Sequence, residues 1–387
     1  MSFQRIPYGR HHITEEDLQA VSEALKADFI TQGPRVEQFE QQFAEYVGAK
    51  YAVANSNGTA ALHLCAMALG VNENSKVITT PITFAASANC VKFCGGEIVF
   101  SDIDPSTALL DLTKVRSLLE AAPPNTYHGI IPVDFTGYPV DLEAFRQLAD
   151  EFNLWIIQDS CHSPGGFFMD SGNQKQRCGN GHFADLAIFS FHPVKHIACG
   201  EGGMVTTNSF ELYEKLLMYR NHGITKEPTK MSENHGGWFY EMQLLGYNYR
   251  MTEAQAALGS SQLQRAEKGL ERRREIAQIY DKVFADNKKI TLMRPTENIG
   301  HAYHLYVIQV DDRKALYEYL REHNILSQIH YIPVHTLPYY RSLQSEEIVM
   351  PNAERYYDRC ISLPMFPTLT DEEQQFVIEK VLAFVGE

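Results

Sequence analysis

The stretch LAIFSFHPVKHIACGEGGMVTTN, residues 186–208, sets one lysine, Lys195, and a cluster of glycines between two apolar runs. Runs of that kind, bounded by Pro and Gly, read as short buried strands, here at 186–191 and 203–207. Gly200, Gly202 and Gly203 let the backbone come close to a ligand. A lysine withdrawn from water loses its proton more readily and becomes a nucleophile able to form a Schiff base with an aldehyde. The same residues also describe a lysine snorkelling from a loop beside an ordinary glycine turn, so the flanking sequence has to decide.

Upstream, short β-branched runs at 51–54, 76–79, 97–101, 129–133 and 154–158 alternate with helical patterns at 14–27, 60–69 and 142–152. Thr14 is placed to cap the first of these helices, and Gly70 to stop the second. This alternation predicts an α/β fold with a mostly parallel seven-stranded sheet covered by helices. The large domain is expected over residues 1–255. Past a long charged helix at 252–285, the pattern changes to segments at 304–310, 313–323, 325–331 and 371–384, a smaller C-terminal α+β domain over 256–387. With no repeat or linker between the two parts, a ligand cleft is expected where they meet. FFMDSGNQKQRCGNGH, residues 167–182, reads as an insertion, either a surface loop or a change to the site entrance.

A chain of 387 residues, 44% hydrophobic, can bury a large core. Its 34 basic and 48 acidic side chains leave a net charge of −14, which opposes long-range attraction to nucleic acid or to an anionic membrane surface. An anionic substrate then needs a local site. The opening residues lack the apolar core of a secretory signal, and no apolar run nears the roughly 18 residues of a membrane span, so a cytoplasmic protein is expected. The seven cysteines are scattered, which points to reduced thiols and no metal centre; Cys90 and Cys94 are four apart but have no histidine or carboxylate beside them.

In LWIIQDSCH, residues 154–162, an apolar strand delivers Asp159 at its carboxyl end, where α/β sheets place ligands. A carboxylate there can keep a pyridine nitrogen protonated and so make the ring an electron sink; helix capping is the alternative use. His162 can meet a ring hydroxyl or serve as a structural histidine. In ANSNGTAALHLCAMAL, residues 54–69, a strand runs into a helix start where the amides of Gly58, Thr59 and Ala60 suit a phosphate. Capping by Asn57 or Thr59 explains the same residues. Phe84 can cover a planar ring and Ser190 can donate to a phosphate. Jointly, a Schiff-base lysine, a ring-nitrogen acid, a ring cover and a phosphate cradle are what pyridoxal 5'-phosphate requires.

With these residues in view, the chain resembles the DegT/DnrJ/EryC1/StrS family of sugar aminotransferases over nearly its whole length. The likeness runs through FITQGPRVEQFE, NSNGTAALHL, ITTPITFAASAN, DSCH, FSFHPVKHI with GEGGMVTTN, GYNYRMTEAQAALGSSQL, AYHLYVI and SLPMFPTLTDEE. It implies a fold-type-I PLP-dependent transferase that works as a homodimer with shared active sites. Residue by residue, it implies that Lys195 is the Schiff-base and proton-transfer lysine, Asp159 the partner of the pyridine nitrogen and His162 the contact to the ring hydroxyl. Thr59, Ala60 and Ser190 would meet the phosphate, and Asn248 would reach the phosphate held by the neighbouring subunit. Tyr8, Arg10, Gln32, Arg250, His330, His335 and Tyr339 fall in segments that resemble substrate-facing loops, although surface packing accounts for any one of them.

Within the family, FITQGP, TTPITFAASAN, DSCH and HYIPVHTLPYYR are most similar to members that serve pseudaminic acid biosynthesis. That implies amino transfer from L-glutamate to carbon 4 of a UDP-linked 4-keto-6-deoxy-N-acetylhexosamine, with 2-oxoglutarate released. Aminotransferases of the 4-amino-4-deoxy-L-arabinose or perosamine type are the alternative. A branch that replaces the lysine by histidine and dehydrates its sugar is set aside by Lys195. A nicotinamide dehydrogenase would need a GxGxxG turn after the first strand, and NSNGTA is not one. A non-catalytic regulatory protein that only binds pyridoxal phosphate would have no chemical use for Lys195, Asp159 and His162 together.

Overall fold

The computed structural model describes residues 5–386. All seven expected strands form, each within two residues of its expected ends: β1 Tyr51–Asn55, β2 Lys76–Thr79, β3 Glu97–Phe100, β4 Gly129–Ile131, β5 Trp155–Asp159, β6 Leu186–Ser190 and β7 Gly203–Thr207. They make one sheet in the order β1-β7-β6-β5-β4-β2-β3. Only β7 runs against its neighbours, β1 and β6; the other pairings are parallel.

Successive residues of these strands enter different cores, as a two-residue period requires. Ile130 and Ile156 join one apolar cluster, and Ile131 and Ile157 join the cluster on the other face. Burial on both faces is why the strands read as continuous apolar runs rather than alternating ones. Helix α1, Glu15–Lys26, begins at Thr14 as expected. Helix α2, Pro34–Val47, sends Phe39 and Phe43 onto Phe189 and Phe191 at the end of β6. Helix α3, Gly58–Ala68, follows β1, and Gly70 beyond it takes the left-handed conformation at φ 76°. Helix α4, Ala86–Phe93, follows β2.

The C-terminal part has its own core, built on an antiparallel sheet of Thr291–Leu292, Tyr306–Gln309 and Cys360–Leu363. Ile6–Pro7 adds to this part by pairing in parallel with Ile325–Leu326. Arg273 is buried within it, with its guanidinium donating to the carbonyls of Tyr303, His304 and Met365 at 3.1, 3.3 and 3.0 Å. Among the described residues no helix is long and apolar enough to cross a membrane, and no group of three or more His, Cys, Asp or Glu could hold a metal ion.

Three expectations are corrected. The long helix at 252–285 is two helices, Glu253–Leu263 and Ala266–Phe284. Arg265 leaves helical geometry (φ −113°, ψ 11°) as its guanidinium reaches the Asp17 carboxylate and the carbonyl of His12. The single segment expected over 325–331 is regular only at the strand Ile325–Leu326; beyond it, Gln328 makes an isolated bridge to Ser362. Residues 167–182 are not a plain loop, because Phe167–Met169 and Lys175–Arg177 form a hairpin joined by Ile299–Gly300. None of that hairpin lines the cavity described below.

Asp17, fully buried in α1, ties these helices together by accepting from Arg265 and from the Ser261 hydroxyl at 2.6 Å, the Gln262 amide at 2.9 Å and the Thr14 amide at 3.0 Å. Burial pushes its carboxyl up, but these donors outweigh it and hold the carboxyl below its ordinary value. A lowered folded value stabilises the protein above the unfolded carboxyl's titration, about pH 4, and that stability is lost as pH falls through the folded value. Asp17→Asn, which leaves Arg265 without its counter-charge, should cost about 3 kcal/mol at pH 7. Urea unfolding should show the gap between variant and wild type closing as the pH is lowered below about 4; a gap independent of pH would contradict the ionic account.

Candidate active site

The carboxyl ends of β1, β5 and β6 open onto a cavity of about 680 Å³, closed on its far side by residues 304, 330 and 331 of the C-terminal part. Its size lies within the range of small-molecule sites. Ten of the expected residues line it: Tyr8, Gly58, Thr59, Ala60, Phe84, Asp159, His162, Ser190, Lys195 and His330.

The start of α3 forms one wall. Asn57 caps the helix, accepting the Ala60 amide at 2.8 Å, so that amide is not free for a ligand. The amides of Gly58 and Thr59, in the first turn, have no partner further back in the helix, which is the general condition for an anion site. Gly58 is required here. A β-carbon at that position would lie 2.9 Å from Cβ of Ser190 and 3.3 Å from its Oγ, so only glycine brings this helix start against the end of β6.

Asp159 ends β5 with 5% of its surface exposed. Its Oδ2 accepts from the Ser87 hydroxyl at 2.7 Å and its Oδ1 from the Cys161 amide at 3.1 Å. His162 is buried, with the Tyr331 hydroxyl 3.2 Å from its Nε2 and, among the described residues, no partner for its Nδ1. Lys195 follows β6 in a turn closed by its own amide on the His192 carbonyl at 2.9 Å, and its Nζ lies 3.4 Å from Nε2 of His304. The rings of His162 and His304 are 4.3 Å apart.

Burial lowers the Lys195 amine from its ordinary value; Cys161 and Asp159 oppose this, and Arg273 adds to it. Burial, reinforced by the charge of Lys195, pushes His162 and His304 well below the usual histidine range, and pushes His330 down to about 3. These imidazoles are therefore neutral at pH 7. Phe84, 63% exposed, stands at the rim, its ring 6.4 Å from that of Tyr331. An amine, a carboxylate, an unpartnered imidazole nitrogen and a glycine-dependent helix start thus face one space, a donor set that fits pyridoxal phosphate.

Gln32, Asn248, Arg250 and His335 lie outside this cavity, as do Arg10 and Tyr339. Gln32 and Asn248 are exposed. Arg250 donates to the Asn221 side chain at 2.5 Å. His335 is buried in a separate polar recess with Nε2 3.1 Å from Glu354, because Val334 beside it is drawn into a small core with Phe100 and Tyr340. The cavity also holds residues that sequence reasoning passed over, chiefly Thr83, Ser87, Cys161, His304 and Tyr331. Ser87 and Cys161 stood inside the quoted motifs, and Tyr331 beside His330. His304, in AYHLYVI, carried no signal by itself.

The DegT/DnrJ/EryC1/StrS aminotransferase family matches residues 11–382. The spore coat polysaccharide biosynthesis protein SpsC of Bacillus subtilis is 38% identical, covering 97% of this chain and 96% of its own. The UDP-4-amino-4,6-dideoxy-N-acetyl-beta-L-altrosamine transaminase of Campylobacter jejuni is 33% identical over 98% and 97%. Among solved structures, Helicobacter pylori PseC, an aminotransferase involved in the biosynthesis of pseudoaminic acid, superposes with a TM-score of 0.87 at 32% identity, covering 98% of this chain and 99% of that one.

The lowered amine of Lys195 should make it the preferred target of pyridoxal phosphate. Borohydride trapping at about pH 8, below the ordinary lysine value, followed by peptide mapping should put the label chiefly on Lys195, and Lys195→Ala should lose it. Label spread evenly over surface lysines would refute the assignment.

Proposed function

Because this chain belongs to the DegT/DnrJ/EryC1/StrS aminotransferase family, and is thus a PLP-dependent sugar aminotransferase, we propose that it transfers the amino group of L-glutamate to carbon 4 of a UDP-linked 4-keto-6-deoxy-N-acetylhexosamine. That is the amination step of pseudaminic acid biosynthesis, and 2-oxoglutarate is the co-product. The convergence of Lys195 and Asp159 on one cavity carries the chemical part of this reading. The choice of sugar rests on the 33% identity to the altrosamine transaminase. The 38% identity to SpsC favours a second reading, another nucleotide-linked 4-keto sugar destined for a polysaccharide, of which the 4-amino-4-deoxy-L-arabinose and perosamine types are examples.

When bound, pyridoxal phosphate supplies an aldehyde that captures the amino group and a ring that takes up the electron pair left as the donor's α-proton departs. Lys195 would hold the aldehyde and, with its amine freed, would carry the α-proton on its Nζ, which burial keeps available as a base. Asp159 would accept the hydrogen bond of the ring nitrogen. His162 would meet the ring hydroxyl and Phe84 would cover the ring. Gly58, Thr59 and Ser190 would hold the phosphate, while Ala60, its amide taken by Asn57, would contribute packing.

Tyr8 and His330, which line the cavity, would contact the sugar nucleotide. Asn248 would act on the neighbouring chain's phosphate in a homodimer; Gln32 would contact substrate, and Arg250 the phosphate, the substrate or the dimer partner. His335 has no part at this cavity. Residues 1–255 carry the cofactor and 256–387 form the smaller domain, and the enzyme works in the cytoplasm on soluble substrates.

The visible absorption of the holoenzyme should change on adding L-glutamate and revert on adding the UDP-linked 4-keto sugar. Reversion with GDP-linked 4-keto sugars alone would select the second reading, and a spectrum indifferent to glutamate would remove the proposed donor. Lys195→Ala should bind cofactor but exchange amino groups at least about 100-fold more slowly, the scale of a lost proton-transfer group. Asp159→Asn should slow both half-reactions with the fold intact, as judged by an unchanged unfolding midpoint.

A further inference from the structure

Ser87 was passed over by sequence reasoning, yet it is fully buried, lines the cavity and sits 2.7 Å from Oδ2 of Asp159. It belongs to the first turn of α4, a helix whose N-cap, Ala85, has no side chain able to cap it. On the other side of Ser87, Oγ1 of Thr83, 3% exposed, lies 2.8 Å from its Oγ.

The order of donors is forced. An ionised carboxylate only accepts, and a serine hydroxyl carries one proton. Ser87 therefore donates to Asp159 and accepts from Thr83; the carbonyl of Phe84, at 3.4 Å, is the weaker alternative acceptor. With the Cys161 amide on Oδ1, each carboxylate oxygen has a fixed donor from the protein. Two donors on two oxygens prevent rotation about the terminal torsion, which is otherwise broad for aspartate, and leave the remaining lone pairs as the ones a ring nitrogen can use.

We propose that Thr83 and Ser87 form a hydroxyl relay that positions the Asp159 carboxylate for the cofactor's ring nitrogen, making Ser87 a positioning residue of the transamination. The inference rests on the cofactor role of Asp159 given above. It explains why a small hydroxyl stands fully buried at the start of a helix that it does not cap. It also separates the two helices that border the site: α3 receives the phosphate, and α4 orients the acid.

The test uses holoenzyme reconstituted with cofactor labelled with nitrogen-15 in its ring. In Ser87→Ala the ring-nitrogen resonance should move toward the unprotonated position. The rate constant of the glutamate half-reaction should fall about 10- to 100-fold, the scale on which loss of an outer hydrogen bond affects other sites, while the KM for glutamate changes little. Ser87→Thr should restore both, and Thr83→Val, which keeps the bond to Asp159, should shift both in the same direction by less. An unchanged resonance and rate in Ser87→Ala and Thr83→Val overturns the relay while leaving the cofactor reading intact. Failure of wild-type protein to bind the labelled cofactor overturns both.

Discussion

The carboxylate of Asp134, buried just beyond β4, accepts from the Val140 amide at 3.0 Å on Oδ1, and from the side chains of Gln158, Ser160 and Ser163 at 2.8, 2.9 and 2.6 Å on Oδ2. Burial raises this carboxyl above its ordinary value, and the donors offset that only in part. A buried carboxylate is costly unless its lone pairs are met. Meeting them draws the ends of β4 and β5 together, with the Asp134 amide on the Asp159 carbonyl at 3.0 Å and the Asp159 amide on the Pro132 carbonyl at 2.9 Å. Ser160 and Ser163 bracket Cys161 and His162. The turn that aims Asp159 and His162 into the cavity is therefore held from beneath by one carboxylate that itself never reaches the site.

The opposite wall depends on a buried cation. Arg273 holds the backbone of Tyr303 and His304 through their carbonyls, and His304 then meets Nζ of Lys195. Asp134 organises the sheet side and Arg273 the C-terminal side, each by satisfying main-chain or hydroxyl groups away from water. Between them the histidines stay neutral, because a second positive charge beside Lys195 in a desolvated space is unfavourable. With the imidazoles neutral, Lys195 is the group to which the proposed mechanism assigns the proton.

Much of this was legible from short pieces of chain. Strand runs, the Asn57–Ala60 helix start, Lys195 with its glycines and Asp159 at a strand end are each defined by neighbours a few residues away, where periodicity and capping act. The insertion at 167–182 was harder, because a hairpin there depends on Ile299–Gly300 as a third strand. The helix expected at 252–285 failed for a related reason. Its periodicity continues through Gln264 and Arg265, and what breaks it is an ion pair to a residue near the other end of the chain.

Local sequence, then, determined the α/β class, the seven strands and the cofactor chemistry, since each is written in residues that touch along the chain. Tertiary structure alone decided which polar groups complete the site. Ser87 meets Asp159 across 72 positions, Lys195 meets His304 across 109, and Asp17 meets Arg265 across 248. It also withdrew His335 from the cavity by burying Val334 beside it. The reason is physical: a hydrogen bond needs its partners within about 3 Å, and for residues so far apart in sequence that distance exists only once the cores have packed.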